Sequence, residues 1–205
     1  MKVFIDLCSG LGGASQAFVD DPEWTVYRFE NNPILFEAVP FTFEADVTTW
    51  MDWLPAWIDE HLKDVDEVVI WASPPCREFS EGYNGPKSIA TRAGEDYEPD
   101  MTIFQACLDI IEFITPNYWM LENVKGSIPF FTPEIGKWKQ RVFSFYLWGN
   151  FPHLDIDPYA KHFKSEQDVH SANPLRANLK GKVPIEVSSA LLTAIDNFTS
   201  LEQWM

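Results

Sequence analysis

The sequence predicts an α/β fold built on a mostly parallel sheet with helices on both faces, and two observations carry that prediction. Short runs rich in β-branched and aromatic residues alternate along the chain with stretches of helical period, the pattern of strands joined by crossover helices. The 205 residues are 46% hydrophobic and 15% aromatic, enough for one domain that buries roughly 70% of the surface its unfolded chain exposes. Two full-sized domains would be a tight fit. The same composition excludes a disordered or collagen-like chain.

Strands are expected at residues 3–7, 25–30, 41–47, 67–72, 118–124 and 142–148, where apolar and β-favouring residues cluster. A helix is expected at 13–19. Another, at 49–65, places Trp50, Trp53, Leu54, Trp57 and Leu62 near a 3.6-residue period. A third, at 102–114, has Phe104, Cys107, Leu108, Ile111 and Phe113 on its apolar side. A final helix is expected at 184–198, with Pro184 near its first turn and Val187, Leu191, Leu192 and Ile195 on one face. Residues 151–182 are polar and weakly periodic. The chain thus divides into a core at 1–150, a reduced segment at 151–183 and a C-terminal helix at 184–205 that packs back on the core. Ligands of such a sheet bind at the carboxyl ends of its strands.

No apolar run approaches the ~20 residues of a membrane span, and Met1 leads into residues 3–5 without a basic leader. A cytoplasmic location without membrane partners is expected. Three cysteines, Cys8, Cys76 and Cys107, are too few and too scattered for a disulfide framework or a zinc site, so no metal is expected. The 15 basic and 31 acidic side chains give a net charge of −16, the wrong sign for a protein held to nucleic acid by bulk electrostatics. Residues 1–120 hold 22 acidic and 6 basic side chains, whereas residues 121–182 hold 6 and 9. A polyanion should therefore approach the C-terminal part, while the N-terminal acidic excess serves solubility.

The first strand runs into Asp6, Leu7, Cys8, Ser9, Gly10, Leu11, Gly12 and Gly13 and then into a helix. Glycines let the backbone take positive φ and let a ligand come close, and a helix N-terminus offers free N–H groups. Twenty residues past Gly10, Glu30 ends the second strand, where a carboxylate can accept from ribose hydroxyls. That pair suggests an adenosine-containing cofactor. No basic residue in the loop would meet a diphosphate, which makes a nicotinamide cofactor or ATP less natural. Asp46, at the end of the third strand, is placed to accept from an adenine amino group. A tight structural turn fits the glycine loop equally well.

After the apolar run 68–72 come Ser73, Pro74, Pro75, Cys76, Arg77, Glu78, Phe79 and Ser80. Two prolines stiffen this loop, so the side chain that follows them is held in a fixed direction. A thiol there is a candidate nucleophile. Cysteine more often behaves as a small buried hydrophobe, the reading adopted for Cys107; the basic neighbour Arg77 favours the thiolate at Cys76. The strand at 118–121 delivers Glu122, Asn123 and Val124 to the same edge, where a buried carboxyl kept protonated can act as an acid.

In order and spacing, residues 6–13, Pro75 with Cys76, and Glu122 with Asn123 and Val124 resemble motifs of the AdoMet-dependent DNA (cytosine-5)-methyltransferases, over residues 1–125. The resemblance implies a Rossmann-like methyltransferase fold, S-adenosyl-L-methionine as cofactor and DNA as partner, with the target cytosine flipped out of the duplex. It further implies that Cys76 adds to C6, that Glu122 bonds N3 and the exocyclic amine, and that C5 takes the methyl group. The cofactor residues it implies are Asp6, Leu7, Cys8, Gly10, Leu11, Gly12, Gly13, Glu30, Asn31, Asp46, Val47 and Pro75. Those implied at the substrate are Arg77, Phe79, Ser80 and Asn123. Exocyclic-amine methyltransferases resemble the loop at 73–75 but carry an aromatic residue where Cys76 stands, so methylation of the ring carbon ranks above theirs.

Further along, Lys137, Lys139 and Arg141 look like a degenerate form of the family's glutamine and arginine triplet. Arg141 is expected as a catalytic contact to the cytosine O2 or a phosphate, and Lys139 as a substrate contact, although alternate exposed residues leading into a strand explain the lysines as well. Ser188 or Ser189 is placed to reach the cofactor's methionine end. The family's second lobe is reduced to 151–182, where Lys161, His162, Lys164, His170, Arg176 and Lys180 could follow a phosphate backbone. Specificity could instead come from an accessory protein, and the substrate could be RNA or a free nucleotide. A monomer is expected, and so compact an enzyme suits a bacteriophage or archaeal virus. A catalytically silent nucleic-acid-binding module and a nicotinamide oxidoreductase are the competing classes.

Overall fold

In the computed structural model, which describes residues 1–82, 85–157 and 173–202, strand and helix alternate through most of the chain. The elements are β1 (Lys2–Leu7), α1 (Gln16–Val19), β2 (Trp24–Glu30), α2 (Pro33–Phe36), β3 (Thr42–Glu44), α3 (Trp50–His61), β4 (Glu67–Ala72), α4 (Pro86–Ala93) and α5 (Thr102–Ile114). They continue with β5 (Tyr118–Asn123), α6 (Ile128–Ile135), β6 (Gln140–Val142), β7 (Phe145–Asn150), α7 (Arg176–Gly181) and α8 (Ile185–Glu202). The seven strands form one sheet in the order β3-β2-β1-β4-β5-β7-β6. Strands β1 to β5 are parallel, whereas β7 runs antiparallel to β5 and to β6. This is a Rossmann-like, doubly wound sheet with an antiparallel hairpin at one edge.

Side-chain alternation along the strands sorts the core into layers. Phe4, Val69, Trp71 and Met120 face α1 and α8 with Phe18, Val187, Leu191 and Ile195. Val3, Ile5, Leu7, Ile70 and Ala72 face α3 and α5 with Leu54, Trp57, Cys107 and Ile110. A third cluster, with Phe104, Phe131 and Trp148, closes the β7 end. Phe151 and Leu154, at the start of the polar segment, are buried in the α8-side layer.

Several elements depart from the sequence expectation, each for a local reason. The third strand stops at Glu44 because the Asp46 side chain accepts from the Thr48 backbone N–H at 2.9 Å and starts a short 3₁₀ turn, a local bond that competes with the sheet ladder. The run 142–148 is two strands, because Phe143 adopts φ +52° and turns the chain back into a hairpin. The first helix covers only Gln16–Val19, and Ser15, in the N-cap position, spends its hydroxyl on Asp6 instead of on a cap. Four helices, α2, α4, α6 and α7, are too short for their periodicity to stand out. Lys161, His162, Lys164 and His170 lie outside the described residues. Among the described residues no helix is long and apolar enough to cross a membrane.

Candidate active site

Strand β1 lies between β2 and β4, so the sheet is wound outward in both directions from this pair. Such a reversal leaves a crevice outside the carboxyl ends of the two strands. A cleft of about 590 Å³ opens there, lined by the loops after β1 and β4, the end of β5, and residues of α7 and its continuation to Val183. The structure thereby brings the glycine loop, Cys76 and Glu122 to one cavity.

The glycine loop is held from below and open above. Cys8, Gly10 and Gly12 all have positive φ. A Cβ on Gly10 would meet nothing within 4 Å, so its backbone faces open space, whereas a Cβ on Gly12 would lie 2.6 Å from the Arg28 guanidinium. Arg28 is buried and donates to the Ser15 hydroxyl (2.8 Å) and to the carbonyls of Gly12 (3.1 Å) and Pro40 (2.9 Å). The Ser15 hydroxyl in turn donates to Asp6 Oδ2 at 2.6 Å. Burial pushes the Asp6 carboxyl up to about 7, against the opposing pull of the Ser15 hydrogen bond and the Arg28 charge. A hydrogen bond with Cys107, followed by burial, pushes the Cys8 thiol well above its ordinary value, so Cys107 is a partner of the loop as well as an apolar residue of α5.

Glu30 is fixed by three backbone donors: Gly10 at 2.9 Å on one oxygen, Asn31 at 3.1 Å and Asn32 at 3.0 Å on the other. A carboxylate accepts about four hydrogen bonds, which leaves Glu30 one position for a ligand hydroxyl. Leu11, Gly13, Asn31, Asp46, Val47 and Pro75 also line the cleft. The Thr48 hydroxyl and backbone N–H hold Asp46 below the usual carboxylate range. Ser9 lines the same cleft with its hydroxyl buried and without a partner among the described residues. An open backbone, an orphaned hydroxyl and two anchored carboxylates fit the polar groups of S-adenosyl-L-methionine; Lys180 and Lys182, from the α7 wall, line the same cleft.

Opposite the loop, Pro75 leads into a 3₁₀ turn at Cys76–Glu78, and the Cys76 thiol is exposed at the cleft. Glu122 is buried, and burial pushes its carboxyl up to about 7 although the Ser73 hydroxyl, which donates to Oε2 at 2.9 Å, opposes the shift. Asn123 clamps the proline loop, donating from Nδ2 to the Pro74 carbonyl at 2.9 Å. An exposed thiol and a carboxyl raised by burial therefore share one cavity with the glycine loop.

Other expected residues stand elsewhere. Arg77 and Ser80 line the cleft, but Phe79 is core, packed edge-on against Phe131. Leu7 and Gly12 support the loop from outside the lining. Ser188 is fully buried and bonds the glycine loop's backbone, donating to the Ala14 carbonyl (2.7 Å) and accepting from the Ala17 N–H (3.0 Å); it props the loop and does not face the cleft. Arg141 donates to the Phe143 carbonyl at 2.9 Å and lies over the Tyr146 ring. Lys139 donates to the Phe151 carbonyl. Neither lines the cavity. Sequence reasoning missed Arg28, whose only sign is a base inside an apolar strand. It also missed the hydroxyl roles of Ser9 and Ser73, and α7 as a wall of the cleft.

A family model described as C-5 cytosine-specific DNA methylase matches residues 2–130. The chain is 24% identical over 187 residues to the "Probable DNA (cytosine-5)-methyltransferase" of Frog virus 3 (isolate Goorha), covering 88% of this chain and 72% of that protein. Among solved structures, it is similar to a prophage-encoded E. coli chain assigned as a DNA modification methyltransferase (TM-score 0.49, 16% identity, 73% of this chain and 47% of that one). It is also similar to the S. pombe Dnmt2 methyltransferase (TM-score 0.38, 18% identity, 61% and 35%). The chain spans less than half the length of either solved chain.

Proposed function

The chain belongs to the C-5 cytosine-specific DNA methylase family, and on that premise we propose that it methylates C5 of cytosine in DNA through a covalent bond between Cys76 and C6 of the base. The observation that carries this reading is the convergence of an exposed thiol, Cys76, and a carboxyl that burial pushes up to about 7, Glu122, on the cleft of the glycine loop. A carboxyl raised that far keeps a protonated population at neutral pH, and in that form it can donate to N3 of a cytosine while accepting from its exocyclic amine. Proton donation to N3 draws electrons from the ring, so that the Cys76 thiolate adds at C6 and the electron pair of the C5–C6 bond becomes available at C5. When bound, S-adenosyl-L-methionine supplies the electrophilic methyl group that C5 takes. Loss of the C5 proton to solvent water then re-forms the double bond and expels Cys76 as the thiolate, while N3 returns its proton to Glu122.

Glu30 and Asp46 would hold the cofactor's hydroxyls and amine, and the Gly10 backbone and Ser9 hydroxyl its polar atoms. In a duplex the target base must leave the stack to reach Cys76. Incubation with plasmid DNA and S-adenosyl-L-methionine, followed by digestion to nucleosides and mass spectrometry, tests the reading. The expected product is 5-methyldeoxycytidine. An N4-methylated nucleoside would move the reaction to the exocyclic amine, activity on RNA or dCMP alone would overturn the substrate, and binding of NAD instead of S-adenosyl-L-methionine would overturn the class.

A further inference from the structure

We propose that Ser73, itself oriented by Trp71, is a positioning residue that dictates which oxygen of Glu122 carries the catalytic proton. The proposal rests on the reading of Glu122 as the acid. Strands β4 and β5 are paired with Trp71 beside Met120 and Ala72 beside Leu121. Continuing that register by one residue sets Ser73 beside Glu122, and the two-residue period of a strand puts Trp71 and Ser73 on one face. The contacts follow: Trp71 Nε1 lies 2.7 Å from Ser73 Oγ, and Ser73 Oγ lies 2.9 Å from Glu122 Oε2.

The direction of this chain is set by chemistry. An indole N–H can only donate, so Ser73 Oγ accepts from Trp71, and among the described residues the hydroxyl's one proton has no acceptor other than Glu122 Oε2. Oε2 is therefore an acceptor whether or not the carboxyl is ionised, and the acid proton resides on Oε1. The arrangement is stiff. Trp71 is fully buried, Pro74 follows Ser73 directly, and Asn123 clamps the Pro74 carbonyl. A cytosine presents an acceptor at N3 beside a donor at its amine, so a carboxyl is complementary only with its proton toward N3 and its bare oxygen toward the amine. A carboxyl free to place the proton on either oxygen would spend part of its population with O–H facing N–H. Ser73 removes that alternative.

The ionisable groups sharing the cleft are Asp6, Cys8, Cys76, Arg77, Lys180 and Lys182, together with Glu30 and Asp46. None of them contributes to the shift of Glu122, whose causes are burial and the Ser73 hydrogen bond. Removing the Ser73 hydroxyl takes away a donor that favours the charged form, so Glu122 should then titrate at higher pH.

The test is a carbon-13 NMR titration of protein labelled at glutamate carboxyls, with Glu122→Gln identifying the signal. Ser73→Ala should move the Glu122 midpoint upward and lower kcat for methyl transfer roughly tenfold, with S-adenosyl-L-methionine affinity unchanged by calorimetry. Ser73→Thr, which keeps the hydroxyl, should restore both midpoint and rate, and Ser73→Gly serves as a second hydroxyl-free variant should Ser73→Ala fail to fold. The titration requires no nucleic acid, which separates the two readings. A Glu122 midpoint that rises in Ser73→Ala while the wild type transfers no methyl group sinks the functional reading and the positioning role of Ser73 in catalysis with it. A wild type that methylates DNA while folded Ser73→Ala keeps both midpoint and kcat overturns the positioning role alone.

Discussion

Glu122 carries a pH dependence that can be read without any substrate. Burial raises its carboxyl from 4.5 to about 7, so between those values the folded chain binds a proton that the unfolded chain has released. Stability from this group is present below the unfolded value and is lost as pH rises through the folded one. Glu122→Gln, which cannot ionise, should therefore become progressively more stable relative to wild type across that window, by an amount on the order of a few kcal/mol once complete. Asp6, which is raised to about 7 as well, is unchanged by the substitution and cancels from the comparison. Thermal melts of both proteins at a series of pH values check this, and a constant Tm gap would contradict it. The same variant should lose roughly 100-fold or more in turnover, through loss of acid catalysis and charge stabilisation. Cys76→Ser should abolish methyl transfer and leave S-adenosyl-L-methionine affinity, measured by calorimetry, within a few-fold. The thiol acts on the base, so substantial methylation by that variant would place the reaction outside the covalent mechanism.

Among the elements, the cofactor loop depends on a helix that is distant in sequence. Ser188 of α8 bonds the Ala14 carbonyl and the Ala17 N–H, so Ser188→Ala leaves two buried backbone groups without that partner. A cost of about 1–3 kcal/mol is expected in urea unfolding, together with weaker S-adenosyl-L-methionine binding from a loosened loop. A neutral effect on both would show that α8 does not brace the site. The sequence was legible where periodicity or motif spacing is strong. The parallel strands and α5 follow from their apolar runs, and the loops of Gly10, Cys76 and Glu122 follow from their positions at strand ends. It was opaque where a single local bond or dihedral decides. Asp46 ends β3 by bonding Thr48, and Phe143 folds one apolar run into a hairpin. Ser188 is polar at the loop but points its hydroxyl at backbone, a direction that residue identity does not encode. Arg28 is buried because the Asp6 charge, the Ser15 hydroxyl and the Gly12 and Pro40 carbonyls meet it from separate parts of the chain, and no short window of sequence contains that set.

For the whole molecule, the net charge of −16 opposes a polyanion, and few phosphate contacts are expected. One groove-reading module commonly buries roughly 600–1,000 Å² of protein surface, which leaves little of the short segment at 151–182 for a long recognition sequence. Methylation should accordingly occur in a context of few bases, be strongest at low salt and fall with a shallow salt slope. Bisulfite sequencing of a plasmid methylated by the purified chain checks this, and a strict site of six or more base pairs would contradict it. The central claim, that Cys76 attacks a cytosine while Glu122 holds the proton, is tested most directly by trapping. DNA carrying 5-fluorocytosine is incubated with S-adenosyl-L-methionine and the protein, and the product is analysed by intact mass and peptide mapping. Fluorine at C5 cannot leave as a proton, so the account predicts a stable adduct joining the DNA to Cys76, absent in Cys76→Ser and strongly reduced in Glu122→Gln. Wild-type protein that binds the DNA and S-adenosyl-L-methionine yet forms no adduct, or an adduct on any residue other than Cys76, would contradict it.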